Sequence, residues 1–195
     1  MKAFFLSLFA AFTLAASAQD KPEGLFINSK APDFSGTDQN GNKVSLKELK
    51  KKGPVVVLFY RGNWCPYCNR QLKNLQDSLQ LITDKKASIV AITQEATPGI
   101  QETVKKTGAA FPILHDAESK WSKAYGVNFA VDERTIRRYK TADIDLLAIN
   151  NQKEAASLPV PAVYIINRDG SITYRYFDAD YRNRLSVREL AEQIK

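Results

Sequence analysis

Residues 54–68 read Pro54-Val55-Val56-Val57-Leu58-Phe59-Tyr60-Arg61-Gly62-Asn63-Trp64-Cys65-Pro66-Tyr67-Cys68. The apolar, β-branched run Pro54–Tyr60 predicts a buried strand. Proline is favoured at the first position inside a helix, so Pro66 predicts a helix start with Cys65 as its N-cap. Cys65 and Cys68 are the chain's only cysteines. Three residues apart on a first helical turn, they share a face and are placed to form a small reversible disulfide. The unpaired N–H groups and the positive end of the helix dipole stabilise a thiolate at Cys65. Arg61 adds positive charge nearby. The expectation is an exposed, reactive Cys65 with Cys68 one turn deeper.

Two other uses of the pair compete with this one. A static disulfide would close so short a loop that it gains little from chain entropy. A structural zinc site wants four Cys or His ligands, and only His115 remains to join the pair.

Around this core the chain reads as one domain with an exported beginning. Lys2, the apolar stretch Ala3–Ala15 and the small residues Ala16-Ser17-Ala18 fit a secretory signal at residues 1–18, cut after Ala18. The domain then spans 19–195. The apolar stretch is short for a permanent membrane anchor, so no stable insertion is expected after cleavage. The implied compartment is the periplasm or the cell exterior, where disulfides persist. The net charge of +7 comes from dispersed basic residues, with small clusters at Lys50-Lys51-Lys52 and Arg137-Arg138. These read as solvated faces, and no nucleic-acid partner is expected.

Asp33–Ser45 predicts a hairpin turning at Gln39-Asn40-Gly41-Asn42. Ser45-Leu46-Lys47-Glu48 is a capping signal for a short helix. The helix from Pro66 carries Leu72, Leu75, Leu79 and Ile82 at helical spacing. Ala87–Thr93 predicts a strand, Thr97-Pro98 a helix that Gly108 closes, and Phe111–Leu114 a short strand. A helix through Trp121 and Tyr125 ends near Gly126. Asp132–Lys140 reads as helical and Thr141–Leu158 as irregular. Val160–Asn167 and Ser171–Phe177 predict strands joined at Asn167-Arg168-Asp169-Gly170, and Ser186 caps a last helix. This order predicts an α/β fold with a mixed central sheet, helices on both faces and an N-terminal hairpin.

The strand, Trp-Cys-X-X-Cys, helix and late proline-led hairpin together resemble the thioredoxin fold. Ala31-Pro32-Asp33-Phe34, Tyr125-Gly126-Val127, Pro159–Gly170 and Asp180-Tyr181-Arg182-Asn183-Arg184-Leu185 resemble one branch of it, the peroxiredoxin (alkyl hydroperoxide reductase/thiol-specific antioxidant) superfamily. Phe59–Cys68 is similar to its subgroup that carries a Cys-X-X-Cys. In the peroxiredoxin pattern P-x-x-x-T-x-x-C, the cysteine falls on Cys68, the threonine on Cys65 and the proline on Arg61. Gln71 matches a polar residue common in that superfamily. The place of its peroxide-polarising arginine on the late strand holds Pro161. In thioredoxins that place is a cis-proline facing the disulfide, so the resemblance implies a cis Val160–Pro161 bond against the cysteines. The thioredoxin buried acid, six residues before the first cysteine, is Phe59 here.

The resemblance implies an antioxidant thiol-disulfide oxidoreductase that cycles a Cys65–Cys68 disulfide. Arg61, Trp64, Pro66, Tyr67, Gln71, Val160 and Pro161 would support it. The competing reading is a thioredoxin-dependent peroxidase in which Cys68 meets hydrogen peroxide or an organic hydroperoxide and Cys65 resolves the product. A non-catalytic exported domain is the third. The expected partners are a protein dithiol donor, either thioredoxin-like or a membrane thiol relay, and a protein disulfide or a peroxide as substrate. No nucleotide, haem or flavin motif is visible, and the chemistry needs no metal. Asp178–Arg184 reads as charged surface without chemistry, and His115 as structural.

Overall fold

The computed structural model describes residues 21–153 and 155–195; the expected signal at 1–18 lies outside them. A short hairpin, β1 (Ser35–Thr37) and β2 (Lys43–Ser45), precedes α1 (Leu46–Lys52), which Ser45 caps. Then come β3 (Val55–Phe59), α2 (Pro66–Asp77), α3 (Gln80–Thr83), β4 (Ser88–Thr93), α4 (Thr97–Thr107) and β5 (Ile113–His115). They are followed by α5 (Lys120–Ala124), β6 (Asn128–Ala130), α6 (Glu133–Lys140), α7 (Leu146–Ile149) and β7 (Ser157–Pro159). The chain closes with β8 (Ala162–Ile166), β9 (Ile172–Phe177) and α8 (Val187–Gln193).

The central sheet has the order β5-β4-β3-β8-β9. β3 runs parallel to β4 and antiparallel to β8, with Val57 opposite Val90 on one side and Tyr164 on the other. Every residue of β3 is buried. A strand covered on both faces loses its polar alternation, which is why its sequence is continuously apolar. Its pleat nevertheless divides the side chains. Val56, Leu58 and Tyr60 face one core with Leu72, Leu75, Ile100, Leu190 and both cysteines. Val55, Val57 and Phe59 face the other, with Phe34, Leu46, Tyr125 and Tyr164. Burial of each such side chain is worth about 1.5–3 kcal/mol.

The mixed sheet between helices matches the expected α/β, thioredoxin-like class. Two local readings change. The helix from Pro66 stops at Asp77, with Ser78 as its C-cap, and restarts as the short α3. The stretch expected to be irregular holds α7 and β7, and β7 pairs with β6. Elements of three or four residues carry too few periods to register as pattern. α6 itself is well signalled. Asp132 caps it by accepting from the Thr135 N–H at 2.9 Å, and Arg137, Arg138 and Lys140 complement its C-terminal dipole. Together α6, α7, β6 and β7 enclose a small third core around Val131, Leu146, Ala156 and Leu158, against which Trp64 packs. Among the described residues no helix is long and apolar enough to cross a membrane.

Candidate active site

The strand–turn–helix reading of residues 54–68 places both sulfurs. Cys65 is the N-cap of α2 and Pro66 its first residue. The cysteines are free thiols whose sulfurs lie 2.8 Å apart, Cys68 donating to Cys65. That hydrogen bond, with further help from the Cys68 backbone N–H, Arg61 and Arg184, holds the Cys65 pKa down at about 6. Burial pushes the Cys68 thiol up, and its neighbour Cys65 pushes it further. The two sulfurs are thus driven apart into a thiolate and a thiol, and alkylation of Cys65 by iodoacetamide is expected to follow its thiolate. Its rate rises through a midpoint near pH 6 and levels off above, while Cys68 stays unlabelled at neutral pH. Mass mapping after brief exposure checks this, and predominant labelling of Cys68 would reverse the assignment.

Cys65 is not exposed as expected: it is 1% accessible, and Cys68 is 0%. Two segments distant in sequence roof the pair. From α6, the Tyr139 ring packs on Trp64 at 5.1 Å and its hydroxyl accepts from Arg61. From the segment after β9, the Tyr181 ring lies 4.2 Å from the Arg61 guanidinium and 5.6 Å from the Tyr67 ring. The same segment brings Arg184 Nη2 to 3.6 Å from Cys68 Sγ. The stretch 178–184, read as plain surface, therefore supplies a cation and an aromatic cover to the cysteines. Its sequence signals were the likeness of residues 180–185 to the superfamily and a charged, aromatic run between the last strand and a capped helix.

Arg61 is 4% exposed and surrounded by the faces of Trp64, Tyr139 and Tyr181. It lines a cavity of about 310 Å³ with Phe129, Arg138, Tyr139, Pro161 and Tyr181. Val160 and Pro161 stand on that wall as well. The Val160–Pro161 bond is trans, since the described residues contain no cis peptide. Pro159 ends β7, and the Val160 N–H donates to Val127 O at 2.8 Å. Trans is the isomer that X–Pro bonds favour by about 0.5–1 kcal/mol. Gln71 is buried on α2, one turn past Cys68. Tyr67 stacks under Arg70 at 5.1 Å.

Phe59 takes the position of the thioredoxin acid but faces the second core, against Tyr125 and Tyr164. A carboxylate there would not face the sulfurs. The buried acid of this site is Glu95 instead, 0% exposed just past β4. Its carboxylate accepts from the Asn63 backbone N–H at 2.9 Å and from the Asn63 side-chain amide. Asn63 O in turn accepts from Asn69 and Lys106, so the loop carrying Trp64 and Cys65 is clamped. Burial raises the Glu95 pKa. Gly62 and Gly99 make its room: a β-carbon on Gly62 would meet Trp64 Nε1 at 2.5 Å and Glu95 Oε1 at 3.0 Å. A lone acid at the C-terminal end of a buried parallel strand, where such sheets place their sites, was the available clue to Glu95. His115 stays outside the site, its pKa lowered by burial.

Comparison with known proteins agrees with this chemistry. The AhpC/TSA family model matches residues 27–175. A relative named thiol-disulfide oxidoreductase ResA, from Bacillus cereus, is 26% identical over 162 residues, covering 83% of this chain and 75% of its own. Peroxiredoxin Q, chloroplastic, from Oryza sativa subsp. japonica is 28% identical over 148 residues, covering 76% of this chain and 57% of its own. Among solved structures, peroxidoxin BcpB from Mycobacterium tuberculosis superposes with a TM-score of 0.66 at 18% identity, over 86% of this chain and 95% of that one. At that identity the likeness speaks for the fold. A family match over most of the chain, joined to a paired thiolate and thiol at a helix start, makes this chain a thiol-dependent oxidoreductase of the AhpC/TSA family.

Proposed function

We propose that the chain is an exported thiol-disulfide exchange enzyme with an antioxidant role, in which Cys65 attacks and Cys68 releases. The observation that carries this is the division of the pair, a Cys65 thiol lowered to about 6 beside a buried Cys68 thiol. The Cys65 thiolate attacks a substrate disulfide, forms a mixed disulfide and expels one substrate thiolate. The negative charge on Cys65 is then gone, and with it the repulsion that held the Cys68 proton. Arg184, 3.6 Å from Cys68, favours the thiolate there. Cys68 loses its proton to solvent and attacks Cys65 Sγ, forming the Cys65–Cys68 disulfide and freeing the second substrate thiolate. A protein dithiol, thioredoxin-like or from a membrane relay, restores the pair. Cys65 is 1% accessible, so a protein substrate reaches it only once surrounding side chains move. The signal read at residues 1–18 would place this chemistry in the periplasm or outside the cell.

The peroxidase reading has one observation in its favour: the Arg184 guanidinium stands beside Cys68, where a developing oxyanion would need a donor. Cys68 thiolate would take the terminal peroxide oxygen as a sulfenic acid and release water or an alcohol. Cys65 would condense with it, giving the disulfide and water. The Cys68→Ser variant separates the two readings. We expect it to accumulate a mixed disulfide between Cys65 and a disulfide-bearing protein substrate, visible as a reducible band on gels, while wild-type peroxide turnover is slow. Rapid peroxide consumption that survives Cys65→Ser and vanishes in Cys68→Ser would install the peroxidase reading instead.

A further inference from the structure

A buried guanidinium needs an anion, because a charge left unpaired in the interior costs several kcal/mol. No carboxylate among the described residues forms an ion pair with Arg61. Its Nε and the neighbouring Trp64 Nε1 are buried donors without a partner. The negative charge that Arg61 and Arg184 face is the Cys65 thiolate. That charge exists only while the pair is reduced. Oxidation joins the two sulfurs and passes two electrons to an external disulfide, which takes one proton from Cys68 and one from water. One negative charge leaves the site, and Arg61 keeps its own.

We propose that the cavity beside Arg61 is a carboxylate subsite that fills when the cysteines are oxidised. The inference rests on Cys65–Cys68 cycling, as read above. The charge lost is single, so a monoanion restores balance. The cavity, about 310 Å³, is large enough for a small organic molecule. Phe129, Pro161 and Tyr181 give it an apolar wall, which favours an acid with a short hydrocarbon tail over a strongly hydrated inorganic anion. Arg138 stands exposed on the same lining and adds a second guanidinium. A carboxylate there pairs with planar forks that match its geometry. Substrates or products bearing a carboxylate near the reacting sulfur or oxygen would be held by this contact. After turnover they would leave as the returning thiolate displaces them.

The test is titration calorimetry of the full folded chain with hexanoate, hexanamide and sulfate. Each is measured on protein oxidised by oxidised dithiothreitol and on protein reduced by dithiothreitol. Hexanoate is expected to bind the oxidised form at least about tenfold more tightly than the reduced one. Saturating hexanoate should then lower the midpoint potential by about 30 mV for each tenfold preference, the two-electron conversion. Arg138→Gln, with circular dichroism to confirm the fold, should weaken binding to the oxidised form roughly tenfold, the effect of losing a charged hydrogen bond. Equal affinity in the two redox states, hexanamide or sulfate binding as well as hexanoate, or an unaffected Arg138→Gln would each overturn the subsite. None of these outcomes depends on which sulfur attacks first, so the trapping experiment and this one can fail separately.

Discussion

Cys65→Ser is expected to lower the rate of protein-disulfide reduction by on the order of 10³ or more. Two properties disappear together. The attacking atom goes, and with it the one thiol whose pKa lies below neutrality, at about 6. Cys68 is a poor replacement, because its burial raises its pKa and leaves it a thiol. Cys68→Ser should stop turnover just as firmly but leave the first attack intact. Arg61→Leu belongs between these extremes. Without the guanidinium the Cys65 pKa should rise only in part, because the Cys68 hydrogen bond that lowers it most remains, so the alkylation midpoint moves modestly to higher pH. Steady-state turnover and the alkylation profile, measured on the same preparations, separate loss of the nucleophile from loss of its activation. Turnover persisting in Cys65→Ser would remove that residue from the nucleophile's role.

Gly99→Ala should give the largest loss of stability for the smallest change in atoms. A β-carbon at Gly99 would sit 2.2 Å from Glu95 Cδ and 2.3 Å from Cγ. Glu95 is 0% exposed and tied to Asn63 by both backbone and side chain, so its escape breaks the clamp under Trp64 and Cys65. Overpacking of this kind costs about 1–3 kcal/mol. For a chain of this size each kcal/mol lowers the melting temperature by about 2–4 °C. Thermal unfolding checks the first part. Slower Cys65 alkylation in the still-folded variant checks the second, since a displaced Asn63–Trp64 loop shifts the helix start. An unchanged melting temperature would mean that Glu95 has somewhere else to go.

The fold and the cysteines were legible because their signals are local. A continuous apolar run, a proline one residue past a cysteine and a serine three residues before a glutamate each state their structure within a turn or two. Asp132 and Ser186 announce their helices in the same way. The rest of the site was not legible, because it comes from across the chain. Arg184 reaches Cys68 over 116 positions, and Tyr139 reaches Arg61 over 78. No local pattern around Tyr139 encodes that meeting, and the superfamily likeness of residues 180–185 gave Arg184 no role. The cis-proline expectation failed differently. It came from likeness to thioredoxins, whereas here the residue just before Val160 is paired in the short β6–β7 sheet and the bond is trans. The place of the missing acid shows a third kind of limit. Position along the strand pointed to Phe59, but the pleat turns Phe59 to the far core.

The central strand β3 has one neighbour, β4, that follows soon after it and another, β8, that begins only at Ala162. During synthesis β3 therefore waits, one edge open, until most of the chain has been made. Pairings of such long reach slow folding and leave a strand edge free to join another chain. Arg184 is made later still, so Cys65 and Cys68 exist as uncovered thiols before their roof arrives. A nascent chain paused before residue 162 should be the species most prone to crosslinking and aggregation. Holdase chaperones would act on that window.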